Sequence, residues 1–307
     1  MISVIVPVFN ERDSVGKLHA ELLEVLKGVG LPFEIIFVDD GSRDGTVQEI
    51  KKLNPVRLIA FARNFGKSQA LQAGFRAAKG DYIFTIDGDL QDDPHEIPHF
   101  LNMMKKEGAD LVCGWKQRRL DGVSKNTVSK IANGITRRMT GTTVHDMNCG
   151  FKLYTKEVVK SLNLYGDMHR YIPAIVAGMG FGVTEVPVHH RDRKFGVSKY
   201  GNFRRLFKSA FDFVTLLLIR RFIDRPMHFF GIIGTVFSLT GFLILGYLSW
   251  IKIFSNATIG NRPLLLFGAL IVIIGIQLFS SGFLGELLIR QRPGSNLYIV
   301  REEIEQK

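Results

Sequence analysis

The stretch Asp81–Gln91, DYIFTIDGDLQ, combines an apolar run with two closely spaced carboxylates. Its first part, Asp81–Ile86, is predicted to be a buried β-strand. Asp87 and Asp89 follow at positions i and i+2, where both can turn toward one divalent cation, and Gln91 adds a neutral oxygen. Hard cations such as Mg²⁺ take oxygen ligands and complete their shell with water and phosphate oxygens. The stretch therefore predicts a strand ending in a metal site that neutralises a diphosphate leaving group, with a solvated acidic turn as the alternative.

Strand and helix patterns alternate over the first 115 residues. The other predicted strands are Ile2–Val8, Phe33–Val38, Val56–Phe61 and Asp110–Gly114, and the predicted helices cover Asp13–Lys27 and Ser68–Ala78, with a third beginning at Pro94. This alternation predicts an α/β domain with a mostly parallel sheet and helices on both faces. In such sheets, ligands bind beyond the carboxyl ends of the strands.

A second acidic cluster, Asp39–Ser42 (DDGS), directly follows the second predicted strand. An aspartate here can accept hydrogen bonds from a base N–H or from ribose hydroxyls, and a glycine lets the backbone come close. A turn whose side chains bond their own backbone is the alternative. Asn10 and Glu11 end the first strand near the same crevice, where capping of the next helix is the alternative function.

For two further stretches, the residue pattern favours no single function. A third stretch is strongly basic. His145–Phe151 suits acceptor positioning or helix capping about equally, and His169 is expected by default to be a surface histidine. Arg191–Lys199 (RDRKFGVSK) holds four cations and one serine in nine residues. Arg binds phosphate bidentately and Lys binds it as a point charge. A basic face resting on anionic lipid is a compatible alternative, because a lipid-phosphate substrate is met at that same surface.

The last third of the chain predicts a membrane anchor. The uncharged runs Phe229–Ile251 and Leu264–Gly285 each exceed the roughly 20 residues that cross a bilayer. A basic amphipathic helix precedes them and is expected in the headgroup layer, with a surface helix as the alternative. Arginines flank the pair of spans on the outside, whereas the loop between them holds only Lys252 and Arg262, which predicts cytoplasmic termini and a cytoplasmic catalytic part. The predicted domains are 1–201 (catalytic), 202–227 (interfacial), 228–290 (spans 229–251 and 264–287) and 291–307 (tail).

Composition narrows the partners. The chain has 40 Lys+Arg against 29 Asp+Glu and a net charge of +11. This charge predicts an anionic binding partner, which could be nucleic acid, anionic lipid or a phosphate-rich substrate. No nucleic-acid recognition module is visible, and the basic residues gather near the membrane helix, so nucleic acid is not expected. The two cysteines, Cys113 and Cys149, stand in no metal-ligand or redox spacing. No signal peptide is expected, because Met1 leads directly into a strand.

As an ordered set, these motifs resemble family-2 glycosyltransferases of the polyprenyl-phosphate hexosyltransferase type. That group includes dolichol-phosphate mannose synthases and bacterial undecaprenyl-phosphate glucosyltransferases. The matching motifs are PVFNER (Pro7–Arg12), DDGS (Asp39–Ser42), DGDLQ (Asp87–Gln91), CGFKLY (Cys149–Tyr154) and RKFGVSK (Arg193–Lys199). The resemblance covers residues 2–201, and the two spans match the bacterial subgroup. It implies a nucleotide-diphospho-sugar transferase domain of the GT-A kind.

The resemblance also implies roles for individual residues. Donor binding is expected from Pro7, Asn10, Glu11, Asp39, Asp40, Gly88 and Asp89. Mg²⁺ or Mn²⁺ is expected on Asp87, Asp89 and Gln91. Binding of the acceptor or of phosphate is expected from Lys116, Arg118, Lys130, Asp146, Arg191, Arg193, Ser198 and Lys199. The catalytic residues are expected to be Asp87, Asp89 and Arg193.

The implied reaction is inverting transfer of one hexose, with glucose from UDP-glucose chosen on subgroup resemblance, to undecaprenyl or polyprenyl phosphate at the cytoplasmic face of the inner membrane. GDP-mannose-dependent transfer and transfer of a modified sugar such as aminoarabinose are alternatives. A non-enzymatic membrane adaptor is the alternative of another class, but it would not need two carboxylate clusters at one sheet edge. A processive polysaccharide synthase should carry a Gln-x-x-Arg-Trp motif, and neither Trp115 nor Trp250 stands in one. The sequence does not decide whether the chain forms a homo-oligomer.

Overall fold

The computed structural model describes residues 1–116, 144–189, 191, 226–255, 258, 260 and 263–290. The chain divides into two compact units, Met1–Arg205 and Leu206–Lys307. The predicted domain boundary at 201, nearly all of the basic helix over 202–227 and the tail over 291–307 lie outside the described residues. These parts of the domain assignment stay predictions.

The first unit is built on a seven-stranded sheet. Its strands are β1 (Ile2–Val8), β2 (Phe33–Asp39), β3 (Arg57–Ala60), β4 (Tyr82–Thr85), β5 (Leu111–Trp115), β6 (Lys152–Thr155) and β7 (Val183–Pro187). They lie in the order β3-β2-β1-β4-β6-β5-β7. Neighbours are parallel except at β6, which runs antiparallel to both β4 and β5. The five predicted strands are confirmed to within about a residue at each end, whereas β6 and β7 were not predicted.

Helices connect the strands. They are α1 (Arg12–Val29), α2 (Thr46–Ile50), α3 (Lys67–Ala77), α4 (Ile97–Glu107), α5 (Lys156–Ser161) and α6 (Ile172–Gly178), with 3-10 turns at Pro94–Glu96 and Met168–Tyr171. The longest, α1, buries Val15, Leu18 and Leu22 on one face, as the spacing predicts. It ends at Gly30, whose φ of 73° is left-handed, a conformation that glycine adopts without strain.

Both faces of the sheet are covered by apolar side chains. Val4 and Val6 of β1 join a cluster with residues of α1 and α4, whereas Ile5 between them joins a second cluster with residues of α3. Successive strand residues point to opposite faces, so helices on both sides require strands that are apolar throughout. This is the α/β architecture that the sequence predicts.

Strand register brings the two acidic clusters to one edge of the sheet. Val8 at the end of β1 pairs with Asp39 at the end of β2. On the other side of β1, Ile5 pairs with Thr85 at the end of β4. Because these strands are parallel, the segments that follow β1, β2 and β4 all leave the sheet at the same side.

The second unit contains a pair of long apolar helices. A π-helical turn, Met227–Gly231, leads into α7 (Ile232–Ser255), and α8 (Pro263–Arg290) follows. By length and composition, Met227–Ser255 and Pro263–Leu288 could each cross a membrane, and both predicted spans are confirmed as helices.

Glycines line the contact between α7 and α8. A Cβ at Gly234 would lie 2.6 Å from the carbonyl oxygen of Gly275, and one at Gly241 would lie 2.8 Å from that of Gly268. The pairing runs in opposite directions along the two helices, so they form an antiparallel hairpin. Small residues let helix backbones approach closely in an apolar environment, where packing stabilises helix pairs.

Candidate nucleotide-sugar site

The segments after β1 and β2 are tied together by hydrogen bonds. The backbone N–H of Asn10 donates to Ser42 Oγ at 2.8 Å, and that of Arg43 donates to Asn10 Oδ1 at 3.0 Å. The backbone N–H of Glu11 donates to Thr46 Oγ1 at 2.9 Å. Asn10 adopts a left-handed φ of 54°. Asn10 and Glu11 therefore help to build the crevice wall, and their predicted contact with a donor stays a prediction.

Asp39 is 1% exposed at the end of β2. Its Oδ2 accepts the backbone N–H groups of Gly41 at 3.1 Å and Ser42 at 2.9 Å. Its Oδ1 is buried and has no hydrogen-bond partner among the residues that the structure describes. A buried carboxylate oxygen without a partner carries the full cost of its desolvation, which an N–H or O–H donor of a ligand would relieve.

Asp40 uses its carboxylate differently from its neighbour. Its Oδ1 accepts the backbone N–H of Phe65 at 2.7 Å, and its Oδ2 accepts that of Gly66 at 3.0 Å. Burial raises the pKa of Asp40, although these two hydrogen bonds act in the opposite direction. Asp40 thus anchors the segment that leads into α3. Its predicted role in donor binding stays a prediction.

The turn after β4 is compact. A Cβ at Gly88 would lie 2.7 Å from Val8 Cγ1, so this glycine permits the turn to pack on β1. The backbone N–H of Gln91 donates to Asp89 Oδ1 at 3.2 Å, and the carbonyl oxygen of Gln91 accepts the backbone N–H of Arg191 at 2.9 Å. These contacts hold the turn, and with it Asp89, at the edge of the sheet. Pro7, also a predicted donor contact, is paired with β2 in the ladder of β1.

Asp87 forms an ion pair that the sequence did not predict. Lys67, the first residue of α3, places its Nζ 2.5 Å from Asp87 Oδ1. On the other side, a Cβ at Gly150 would lie 2.5 Å from Asp87 Cγ, so the carboxylate packs directly against that backbone. Burial alone would raise the pKa of Asp87, but the charge and hydrogen bond of Lys67, with the charges of Lys116 and Lys152, lower it to about 2. Asp87 is therefore ionised at neutral pH.

Two more lysines lie close to this cluster. Asp92 is 1% exposed, and Lys116 Nζ lies 2.7 Å from its Oδ1. Burial lowers and the Asp92 charge raises the pKa of Lys116, with a net increase, so the ammonium stays charged. Lys152 is 2% exposed and its Nζ donates to the carbonyl oxygen of Cys149. Lys116 was predicted to bind phosphate; in the structure its ammonium pairs with Asp92, and phosphate binding stays a prediction.

Arg191 also pairs with carboxylates. Its two terminal nitrogens lie 2.7 Å from Glu21 Oε2 and 2.7 Å from Asp93 Oδ1. Glu21, Asp93 and His95 bring their ligand atoms within 4.8 Å of one another, but the guanidinium already neutralises two of the three. This cluster links α1 to the turn before α4. The predicted phosphate contact of Arg191 stays a prediction.

The region beyond β5 and β7 contains Asp146 and an aromatic stack. Asp146 is 3% exposed, and its Oδ1 accepts the backbone N–H of Asn148 at 3.2 Å. The His145 ring stacks on Trp115 with centroids 4.5 Å apart, and its backbone N–H donates to Glu185 Oε2 at 2.7 Å. Of the predicted acceptor residues, Arg118, Lys130, Arg193, Ser198 and Lys199 lie outside the described residues.

His169, expected to be a surface histidine, is partly buried and bonded to α3. Its ring Nδ1 lies 2.9 Å from the Oγ of Ser68, a residue of α3 that is 1% exposed. Burial first, and then the charge of nearby Lys67, lowers the pKa of His169 to about 3. The contact with Ser68 was not predicted, because α3 and the 3-10 turn at Met168–Tyr171 are remote in sequence and meet only in the fold.

Residues 3–162 match the family model described as "Glycosyl transferase family 2". The chain belongs to this family. The chain is also 37% identical to "Dodecaprenyl-phosphate galacturonate synthase" of Rhizobium johnstonii over 98% of its own length and 92% of that protein. It is 31% identical to "Undecaprenyl-phosphate 4-deoxy-4-formamido-L-arabinose transferase" of Pectobacterium atrosepticum, over 95% of the chain and 91% of that protein.

The fold of this family-2 glycosyltransferase also matches solved structures. Glucosyl-3-phosphoglycerate synthase from Mycobacterium tuberculosis, in complex with Mn²⁺, UDP-glucose and phosphoglyceric acid, superimposes with a TM-score of 0.57 at 20% identity. The match covers 72% of this chain and 79% of that protein. At this level of identity the likeness concerns the fold, and it confirms the GT-A-like α/β domain that the resemblance implied.

The donor set of the family-2 glycosyltransferase fits a hard divalent cation. Asp87 is ionised, because its pKa is about 2. Asp89 supplies a second carboxylate from the same turn, and Gln91 supplies an amide oxygen. Carboxylate and amide oxygens are the ligands that Mg²⁺ and Mn²⁺ prefer. Asp87, Asp89 and Gln91 would hold the ion.

Proposed function

We propose that this glycosyltransferase transfers one sugar from a nucleotide-sugar donor to a polyprenyl phosphate at the cytoplasmic face of the inner membrane. The observation that carries the proposal is the buried Oδ1 of Asp39, which has no hydrogen-bond partner among the described residues and lies on the same sheet edge as the Asp87 and Asp89 carboxylates. In the same chain, two helices are long and apolar enough to cross a membrane. The alignment with two enzymes named for polyprenyl phosphates over nearly their whole length adds support.

The crevice offers different chemistry at its two ends. At the β2 end, Asp39 Oδ1 accepts a hydrogen bond from the base or ribose of the donor, and its Oδ2 stays bonded to the backbone of the turn. At the β4 end, the Lys67 ammonium faces the diphosphate, and Asp87 would hold the metal ion. A bound Mg²⁺ or Mn²⁺ would supply charge neutralisation to the leaving diphosphate. The two ends together orient the donor in line for attack on its anomeric carbon.

The acceptor needs little help from a general base. A phosphate monoester with a second pKa of about 6 is already anionic at neutral pH. Two anions must instead be brought together, which requires cations. Lys67, whose side chain is about one third exposed, is a cation that the described part of the site offers to phosphate. Arg193 and Lys199 remain proposed phosphate contacts on the grounds of their motif.

The sugar itself is proposed to be a modified one. The two aligned relatives are named for galacturonate and for 4-deoxy-4-formamido-L-arabinose. Neither name supports the expectation of glucose from UDP-glucose, whereas both favour the alternative of a modified sugar. A UDP-linked uronic acid or a UDP-linked amino-sugar derivative is therefore the donor class that we propose.

A donor screen tests the proposal. Purified protein in detergent is incubated with undecaprenyl phosphate, Mg²⁺ and one radiolabelled donor at a time: UDP-galacturonate, UDP-4-formamido-arabinose, UDP-glucose or GDP-mannose. Radioactivity in the organic phase is expected with a modified UDP-sugar. Label from GDP-mannose alone would identify a mannosyltransferase, and no turnover of any donor would favour a non-enzymatic adaptor.

Membrane orientation is tested separately. The two native cysteines are buried, so single cysteines introduced at Ala257 and Lys307 can be labelled selectively with an impermeant maleimide. We propose a hairpin with both ends in the cytoplasm, so Ala257→Cys should be labelled from outside in intact cells and Lys307→Cys only after lysis. Labelling of both from one side would contradict the hairpin.

A further inference from the structure

His169 makes contacts that the transfer reaction described above does not use. It lies in the 3-10 turn Met168–Tyr171, and its Nδ1 is 2.9 Å from Ser68 Oγ. The backbone N–H of His169 donates to the same hydroxyl at 3.1 Å. Ser68 is 1% exposed and is the second residue of α3. The histidine is therefore fixed to the N-terminal end of α3 through both its ring and its backbone.

These two contacts favour one tautomer of the His169 ring. Ser68 Oγ accepts the backbone N–H of His169, so its own hydroxyl proton requires an acceptor. Within the described part of the chain, the acceptor that Ser68 Oγ contacts is Nδ1 of His169. Nδ1 then lacks a proton, and the neutral imidazole carries its single proton on Nε2. The ring offers one N–H donor whose direction is set by Ser68.

This donor lies on the cationic side of the site. Ser68 follows Lys67, whose ammonium is 2.5 Å from Asp87. The other charged groups that act on the ring belong to Arg170, Asp167 and Lys152. The positive end of the α3 dipole lies in the same place. A fixed N–H donor among cations suits an oxygen that carries negative charge, and phosphate oxygens are the ones that the reaction brings here.

We propose that His169 is a catalytic residue that donates a hydrogen bond from Nε2 to a phosphate oxygen on the Lys67 side of the site, and that Ser68 is the positioning residue that fixes its tautomer. The inference rests on the proposed function, because the phosphate belongs either to the donor diphosphate or to the acceptor monoester. No proton is transferred: the hydrogen bond stabilises charge on the phosphate oxygen, and the bonds broken and formed stay those of sugar transfer.

Two substitutions at His169 separate the two ring nitrogens. His169→Asn keeps an acceptor near the position of Nδ1, and with it the bond to Ser68, but it has no N–H at the position of Nε2. His169→Gln places an amide N–H near Nε2. We expect His169→Asn to lower kcat/KM by roughly 10- to 100-fold and His169→Gln to recover most of that loss. Ser68→Ala should lower kcat/KM by roughly 10-fold, because the tautomer is no longer fixed.

Varying one substrate at a time identifies the source of the phosphate. If the oxygen belongs to the donor diphosphate, His169→Asn raises KM for the nucleotide sugar or lowers kcat while KM for undecaprenyl phosphate is unchanged. If it belongs to the acceptor, KM for undecaprenyl phosphate rises instead. Both results support the inference, and the thermal midpoint of His169→Asn should stay close to that of the unaltered protein.

Two kinetic results would overturn the inference. One is His169→Asn with unaltered kcat/KM in a protein that transfers sugar. The other is equal impairment of His169→Asn and His169→Gln together with a lowered thermal midpoint, which a merely structural histidine would produce. In both cases the unaltered enzyme is active, so the proposed function survives. Absence of transfer by the unaltered protein would instead reject the proposed function.

A spectroscopic test is independent of turnover. The protein labelled with ¹⁵N-histidine is studied in detergent, and the His169 ring signals are assigned by their loss in His169→Asn. We expect the Nε2–H tautomer, and we expect its Nε2 signal to move when UDP or undecaprenyl phosphate is added. The Nδ1–H tautomer, or signals that move with neither compound, would contradict the inference.

Discussion

The two acidic clusters at the carboxyl edge of the sheet look alike in the sequence but are held by different partners. After β2, Asp39 and Asp40 accept hydrogen bonds from backbone N–H groups. After β4, Asp87 and Asp92 are paired with lysine side chains. Backbone amides fix a carboxylate in place, whereas an ammonium on a flexible stem neutralises it and can move to another anion. The first cluster is suited to orient a ligand. In the second cluster, the lysines can shift toward a phosphate when a ligand brings new negative charge.

A finer difference separates the neighbours Asp39 and Asp40. Both are nearly fully buried, at 1% and 5% exposure. Asp40 uses both of its oxygens to hold the segment before α3, whereas Asp39 keeps Oδ1 without a partner in the described residues. Of these adjacent carboxylates, Asp40 holds the fold with both oxygens, and Asp39 is the one that we propose to contact the donor.

The largest expected effect is the loss of activity when the second cluster can no longer stabilise the charge of the leaving diphosphate. Asp89→Ala removes a carboxylate from the turn that we propose to bind the metal, so the leaving diphosphate should lose charge stabilisation. We expect kcat to fall roughly 100- to 1,000-fold, with the thermal midpoint little changed. Excess EDTA should abolish turnover of the unaltered protein, and Mg²⁺ or Mn²⁺ should restore it. Full activity in EDTA would show that the cluster works without a metal.

The next effect concerns stability. Lys116→Met leaves the carboxylate of Asp92 buried without a counter-charge, which should lower the free energy of unfolding by about 3 kcal/mol. Thermal unfolding in detergent measures the change. Lys51→Met, which removes an exposed lysine, is the matched control and should be nearly neutral. Equal stability of the two variants would contradict the assignment of Lys116 to Asp92.

Asp40→Ala should separate anchoring from ligand binding in the first cluster. It removes the acceptor of two backbone N–H groups, those of Phe65 and Gly66. We expect a loss of about 2 kcal/mol in the free energy of unfolding, measured by the same thermal assay. A variant that kept full stability but could not bind donor would reverse the assignments of Asp40 and Asp39.

The smallest expected effect is in donor affinity. Asp39→Asn keeps an oxygen for the turn and places an NH₂ group where Oδ1 now lies without a partner. An NH₂ group cannot accept a hydrogen bond from the donor, so KM for the nucleotide sugar should rise roughly 10-fold, with stability and acceptor KM unchanged. Steady-state kinetics with each substrate varied in turn check this. An unchanged donor KM would remove Asp39 from the binding site.

Much of the fold was accessible from local pattern. The strand over Ile2–Val8 is found with the predicted bounds. A short run of mostly apolar, β-branched residues is typical of a strand that is buried on both faces of a parallel sheet. In contrast, β6 is four residues long and begins with Lys152, a charged residue at a buried position. Its pattern does not indicate a strand, and the buried Lys152 ammonium finds its acceptor, the Cys149 carbonyl oxygen, only in the folded chain.

The candidate site was predicted in outline and missed in detail. Asp39, Asp87 and Asp89 were identified because they follow parallel strands, whose carboxyl ends meet at one edge of the sheet. Lys67 was missed, although its position just before a predicted helix was a usable signal, since the N-terminus of a helix is itself an anion-binding site. His169 could not have been assigned, because its partner Ser68 is 101 residues away.

The sequence by itself determined the α/β architecture, the two apolar spans and the side of the sheet on which the acidic clusters lie, because each depends on residue spacing within one element or on the direction of parallel strands. Only the tertiary structure decided which carboxylate keeps an oxygen without a partner among the described residues, which is anchored through both oxygens and which is ion-paired. The partners of Asp40 and Asp87 lie 20 to 26 residues away in the chain. Hydrogen bonds and ion pairs act over a few ångströms, so they exist only once folding has brought those segments together.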